Sequence, residues 1–252
     1  MIRKFLAAAL LLAGLPRATA GHPAVPVLAE YSDALRASGR RLVLAVIPPR
    51  EEAERAGYSE LIGELAEAGV EIADISEAFT PASWCLTDTH PLPEALRRAA
   101  AETAKHLALP AGEEIWETEE FTVEFSGNLR TGRGETLSGL RIVGAAPAVV
   151  SDSEIVVAGD SNALIYHDGA DAPVRDAGYA DWLAFFLKRP VTLAAMRGNC
   201  ADALRVELRR RFVAGGPRGL GNMKILVLLL DSKQFREGAN RWRVIPPPAG
   251  ER

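Results

Sequence analysis

The sequence predicts an α/β domain in three layers, a central parallel sheet of about five strands covered by helices on both faces. Short runs at 42–47, 70–75, 154–158, 191–196 and 224–230 read as strands, and 42–47 and 224–230 above all lack the polar alternation of a half-exposed strand, as strands buried on both faces must. The segments between them carry apolar residues at helical spacing, and such alternation is the pattern of a sheet built from strand–helix–strand units. The roughly 230 residues that follow the N-terminal 20 can bury a substantial core and still be one domain.

The elements follow in order. Leu28, Tyr31 and Leu35 define a helix over 27–38, and strand 42–47 then ends at Pro48-Pro49. A second helix over 58–68 carries Leu61, Ile62 and Leu65 and stops at Gly69, before strand 70–75. Pro93 and Glu94 suit the first turn of a helix over 93–107. Residues 110–153 differ in texture: Gly, Thr and Glu accompany alternating pieces such as Phe121-Thr-Val-Glu-Phe125, which reads as β-hairpin material inserted at the edge of the main sheet. The doubly wound pattern resumes with strand 154–158, a helix over 179–187, strand 191–196, a helix over 202–212 and strand 224–230. In such sheets ligands bind beyond the carboxyl ends of the strands, which directs attention to the residues just after each one.

The first 20 residues read as an export signal: Met1-Ile-Arg-Lys is basic, 5–15 is apolar, and Ala18-Thr19-Ala20 is a small-x-small cleavage site. The apolar run is short of the about 20 residues a spanning helix needs. The mature domain is thus expected to cover 21–252, with a bacterial periplasm as destination. A net charge of −4 and a pI of about 5.7 argue against nucleic acid as a partner. No Cys/His cluster has metal-ligand spacing and no Gly-rich nucleotide loop is present, so no cofactor is expected. Trp182, Phe185 and Phe186 lie at helical spacing and read as core rather than a sugar platform. Arg209-Arg210-Arg211 reads as a complement to a helix dipole.

Gly159-Asp160-Ser161 follows a strand directly. A glycine permits a tight turn, and a serine at its tip exposes a hydroxyl at the carboxyl edge of the sheet. Gly-Asp-Ser is also an ordinary turn, so a nucleophile needs a base. Of the four histidines, His22 falls at the expected new N-terminus, where order is poor. His106 shares a helical face with Leu92, Leu96 and Ala99 and reads as packed, and His167 reads as a solvated loop residue held in reserve. His90 stands two residues after Asp88, a spacing that lets the carboxylate take the imidazole Nδ1–H and leaves Nε2 for the serine. The alternative is that Asp88 caps the following helix and His90 is incidental.

The run Trp84-Cys-Leu-Thr-Asp-Thr-His-Pro-Leu-Pro-Glu-Ala95 resembles the Asp-x-His segment of the AlgX/AlgJ family of alginate O-acetyltransferases, and Val156-Val-Ala-Gly-Asp-Ser-Asn162 resembles its nucleophile turn. The resemblance extends from Gly39 to Leu230, and the order Asp88, His90, Ser161 is the family's order. It implies an SGNH hydrolase-like fold and a Ser161–His90–Asp88 triad. It also implies a polysaccharide acceptor, and an acetyl donor supplied through a membrane-bound O-acyltransferase. The chain departs from the family in placing Pro91 after the histidine and in having Asp231-Ser232, with no asparagine, after the last strand. Expected oxyanion donors are the N–H groups of Ser161 and Gly198, with Asn199 beside them. Cys85 and Cys200 flank the two loops in a compartment that permits disulfides, so they form either a disulfide or two buried thiols. Three functions compete: the acetyltransferase, a carbohydrate acetyl esterase with the same triad, and a non-catalytic subunit that kept the fold.

Overall fold

The computed structural model describes residues 21–129, 134–198, 201–215, 219–236 and 239–248. The expected export signal, Asn199 and Cys200 lie outside these residues. The chain order is α1 (Ala24–Ala37), β1 (Arg41–Ile47), α2 (Arg55–Glu67), α3 (Pro93–Leu107), β2 (Glu117–Phe125), β3 (Glu135–Val143), β4 (Ile155–Gly159), α4 (Ser161–Leu164), α5 (Tyr179–Leu187), β5 (Thr192–Ala195), α6 (Ala201–Ala214) and β6 (Ile225–Asp231).

Four strands form the parallel sheet, in the order β1-β6-β4-β5. The expected fifth strand, 70–75, reduces to a single parallel bridge between Ile72 and Leu44, with the Leu44 N–H donating to the Glu71 carbonyl and the Ala73 N–H to the Leu44 carbonyl. The apolar side chains of the run are buried as a strand's would be, with Val70, Ala73 and Ile75 all in the core. Their pairing with β1 is too short to propagate, because the chain turns at once into the 3-10 turn Ser76–Ala78.

Side-chain alternation sends each strand's residues into two cores. Val43, Ala45, Ile47, Val157, Val227 and Leu229 face α3 and α5. Leu42, Leu44, Val46, Val156, Ala158, Leu226, Leu228 and Leu230 face α1, α2 and α6. Helix α3 starts where Pro93 at its first position needs no hydrogen-bonded N–H, and it ends with Ala108 in the left-handed region at φ 51°. Trp182 is buried with the core behind α5, so it offers no stacking face.

The β2–β3 hairpin pairs Glu117 with Val143 through to Phe125 with Glu135. It does not extend the main sheet, as the sequence suggested. Phe121, Phe125, Leu137 and Ile142 point into the core shared with α3 and α5, so the hairpin lies over the helix layer. Its alternation fits this position: Glu120, Thr122 and Glu124 are exposed on the face opposite the buried Phe121 and Phe125. Among the described residues no helix is long and apolar enough to cross a membrane.

Candidate active site

The turn that carries Ser161 is built by β4 and a glycine. All five residues of β4, 155–159, are buried. A Cβ on Gly159 would lie 2.7 Å from both the Ala163 Cβ and the Leu229 carbonyl oxygen, so the strand can turn this sharply into α4 only with glycine there. Asp160 caps α4: its Oδ1 accepts from the Asn162 N–H at 2.9 Å and from the Asn162 side-chain amide at 2.8 Å. Its Oδ2 accepts from the Asp231 N–H at 3.0 Å and from Gln234 Nε2 at 3.3 Å. This buried carboxylate therefore ties the end of β4 to the end of β6 and leaves Ser161 at the mouth of the sheet's carboxyl edge.

The second element is the loop between Trp84 and Pro91, closed by an antiparallel bridge between those two residues and by the Cys85 N–H donating to the His90 carbonyl at 3.1 Å. Within it Asp88 Oδ1 accepts from the His90 N–H at 2.9 Å and pairs with His90 Nδ1. The other oxygen accepts from the Asn128 N–H at 2.8 Å, a donor that comes from the hairpin. Burial opposes the charge on Asp88. The hydrogen bond and the charge of the His90 ring, with the His90 and Asn128 N–H groups, outweigh that burial and hold the carboxyl below the usual aspartate range. Asp88 does not cap α3; Leu92 occupies the cap position without a side-chain bond.

The two elements meet across a separation of 71 residues, with His90 Nε2 2.9 Å from Ser161 Oγ. Ser161, His90 and Asp88 thus form one hydrogen-bonded chain in which Asp88 orients the ring through Nδ1 and the serine hydroxyl lies against Nε2. A cleft of about 160 Å³ opens on this chain, lined by Thr89, His90, Asp160, Ser161, Asn162, Asp231, Lys233 and Gln234. Asp231 is buried, which raises its carboxyl above the ordinary aspartate range against the pull of Lys233, whose Nζ lies 3.7 Å away.

The remaining histidines are engaged elsewhere. His167 is not solvated: its Nδ1 lies 2.9 and 3.1 Å from the two oxygens of the fully buried Asp181. His106 Nε2 pairs with Glu71 at 2.8 Å, within a cluster that includes Arg41. His22, expected to be poorly ordered, donates its backbone N–H to Glu64 at 3.0 Å, while its ring binds the Phe235 carbonyl and stands edge-on to Trp242. Gly198 follows β5 on an exposed loop, in the left-handed region at φ 80°. Cys85 is a buried thiol 3.3 Å from the Tyr166 hydroxyl, and burial pushes its pKa up to about 12. No group of three or more potential metal ligands occurs among the described residues.

Sequence reasoning missed Asp160, Asn162, Gln234, Asn128 and Glu135, which border or buttress the site. The first three follow the ends of β4 and β6, so position in the sheet was a usable signal. Asn128 and Glu135 reach the site only because the hairpin folds over α3, and nothing local to them marks it.

The chain has an SGNH hydrolase-like α/β fold, with Ser161 after the central strand β4 and the Asp88-x-His90 loop before it in the chain. The fold matches the solved O-acetyltransferase domain of Pseudomonas putida AlgJ, with a TM-score of 0.64, 16% identity, and 84% of this chain and 82% of that one covered. It also matches Pseudomonas aeruginosa AlgX, with a TM-score of 0.60 and 19% identity, over 84% of this chain and 57% of that one. No protein-family model and no curated protein matches the sequence.

Proposed function

We propose that the protein is a serine-type O-acetyltransferase that esterifies hydroxyl groups of an exported, alginate-like polysaccharide. The observation that carries this reading is the placement of His90 Nε2 2.9 Å from Ser161 Oγ while Nδ1 is held by an ionised Asp88. The fold shared with the AlgJ O-acetyltransferase domain supports the acyl-transfer class.

In the first half-reaction Ser161 Oγ attacks the acetyl carbonyl of the donor as its proton passes to His90 Nε2. Asp88 keeps Nδ1 protonated and stabilises the imidazolium. Collapse of the tetrahedral intermediate breaks the bond to the donor's leaving group, which takes the proton from His90, and an acetyl ester remains on Ser161. In the second half a sugar hydroxyl gives its proton to His90 Nε2 and attacks the ester, and Ser161 recovers its proton as it leaves. The oxyanion of each intermediate is met by the Ser161 N–H at the start of α4, with Gly198 in the loop after β5, and Asn199 next to it in the sequence, as further donors. The acetyl group reaches the site through a membrane-bound O-acyltransferase. The protein works in the periplasm after removal of residues 1–20.

Purified protein given a chromogenic acetyl ester, with and without polysaccharide oligomers, tests this beside Ser161→Ala. Acetate released by the wild type and transferred to sugar when oligomers are present is the expected result. Equal turnover by Ser161→Ala would overturn the reading. Acetyl release that never moves to sugar would reassign the protein as a carbohydrate esterase.

A further inference from the structure

The loop that carries Asp88 and His90 has little packing of its own at its tip. Leu86 is 72% exposed, yet Thr87 and Asp88 next to it are each 3% exposed. What covers and ties them is the β2–β3 hairpin. Glu135, the first residue of β3, accepts from the Leu86 N–H and the Thr87 N–H, both at 2.9 Å, and from the Thr87 hydroxyl at 2.6 Å. From the other side of the hairpin tip the Leu129 N–H donates to the Thr87 carbonyl at 2.8 Å, and the Asn128 N–H to Asp88 Oδ2 at the same distance. Gly127 makes the approach possible: it takes φ 57°, and a Cβ there would lie 2.0 Å from the Thr87 oxygen.

We propose that Glu135 is a positioning residue of the active site, latching the hairpin to the Asp88–His90 loop so that Asp88 presents one oxygen to His90 Nδ1. The physical reason lies in the donors. Two consecutive backbone N–H groups and a hydroxyl converge on one carboxylate, a match that an acceptor-only group fills with both oxygens. With the tip so held, the Asn128 N–H occupies Asp88 Oδ2 and leaves Oδ1 to the histidine. Without the latch the tip keeps only the single bonds from Leu129 and Asn128, Asp88 gains freedom to rotate, and the ring loses its fixed orientation toward Ser161. A misplacement of about 1 Å in such a site costs on the order of 10²-fold in rate.

The catalytic consequence rests on the acyl-transfer reading, whereas the geometry can be tested apart from it. The mature protein and its Glu135→Ala, Glu135→Gln and Arg141→Ala variants would be compared by turnover of 4-nitrophenyl acetate and by the low-field proton resonance of His90 Nδ1. Arg141 pairs with Glu119 on the exposed strands at 2.7 Å and makes no bond to the Asp88 loop, so its variant controls for general weakening of the hairpin. Glu135→Ala is expected to lower kcat about 10²-fold with KM within twofold, and to shift or broaden the His90 resonance. Glu135→Gln, which keeps one acceptor oxygen, should restore part of both, and Arg141→Ala should match the wild type.

A Glu135→Ala protein with wild-type kcat and an unmoved His90 resonance would overturn the latch while leaving an inactive Ser161→Ala to support the triad. If Ser161→Ala instead keeps full turnover, the acyl-transfer reading falls and the His90 resonance alone decides the latch. If Glu135→Ala fails to fold, Glu135→Gln and Gly127→Ala replace it with the same readouts: a displaced resonance supports the latch and an unmoved one overturns it.

Discussion

Asp88 holds three hydrogen bonds on its two oxygens, with the His90 N–H, His90 Nδ1 and the Asn128 N–H, and each favours its charged form. Its role is then separable from simple charge. Asp88→Asn keeps the shape but presents an amide that can force the wrong imidazole tautomer, and kcat for acetyl-ester turnover should fall on the order of 10³–10⁴-fold with the fold intact. A loss under tenfold would argue that His90 is oriented by something else. Asp160, two positions from β4's last alanine, is a different kind of carboxylate: all its acceptors are spent on the Asn162, Asp231 and Gln234 donors. Asp160→Ala would leave those donors buried and unpaired, a cost of about 1–3 kcal/mol per group that thermal unfolding would read directly.

Among the elements, the turn from β4 into α4 is the least tolerant of change. Gly159→Ala would push a methyl against the Ala163 Cβ and the Leu229 carbonyl at 2.7 Å, contacts that must be relieved by moving backbone. Overpacking of this kind costs about 1–3 kcal/mol. Because the relief must come from β6 or from α4, turnover should fall with Tm; an active Gly159→Ala protein of unchanged Tm would show that the turn is looser than its packing implies. The hairpin illustrates the opposite case, an element whose own sequence says only that it pairs. Its inward phenylalanines place it on α3 and α5, and from there its tip meets the Asp88 loop.

For the molecule as a whole, stability should be bounded at both ends of the pH scale. Asp88 is held below its ordinary pKa, so its contribution is present above about pH 4 and is lost as pH falls through the folded value. Cys85 runs the other way. Burial raises it from 9.0 to about 12, so between these values the unfolded chain sheds a proton that the folded chain keeps, and stability declines with rising pH. The buried Tyr31, Tyr58, Tyr166 and Tyr179 are raised as well, chiefly by burial, and add to the alkaline decline. His167, raised by its bond to Asp181, contributes fully below its unfolded value near 6.5 and loses that contribution as pH rises through its folded one. Urea unfolding across pH 6–9 should therefore show a downward slope that His167→Gln flattens, and an unchanged slope in the variant would remove the pair from the account.

The local sequence determined the layered α/β plan, the span 93–107 of α3 and the span 179–187 of α5, and it singled out Ser161, His90 and Asp88, which the fold brings into one hydrogen-bonded chain. These follow from short-range physics: periodicity reports which faces are buried, proline and glycine report ends, and a two-residue spacing lets a carboxylate reach its neighbour's ring. Tertiary structure decided the rest. Whether residues 70–75 form a strand depended on how soon the chain turned away from the open edge of β1, and the turn at Ser76–Ala78 leaves a single bridge. Whether His167 was solvated depended on Asp181, fourteen residues on and buried in the first turn of α5. Most of all, the sequence carries no local mark that Glu135 and Asn128 belong to the site. Their contacts with Thr87 and Asp88 span 48 and 40 residues, and they exist because the apolar face of the hairpin had to be buried against α3, which begins immediately after the Asp88 loop.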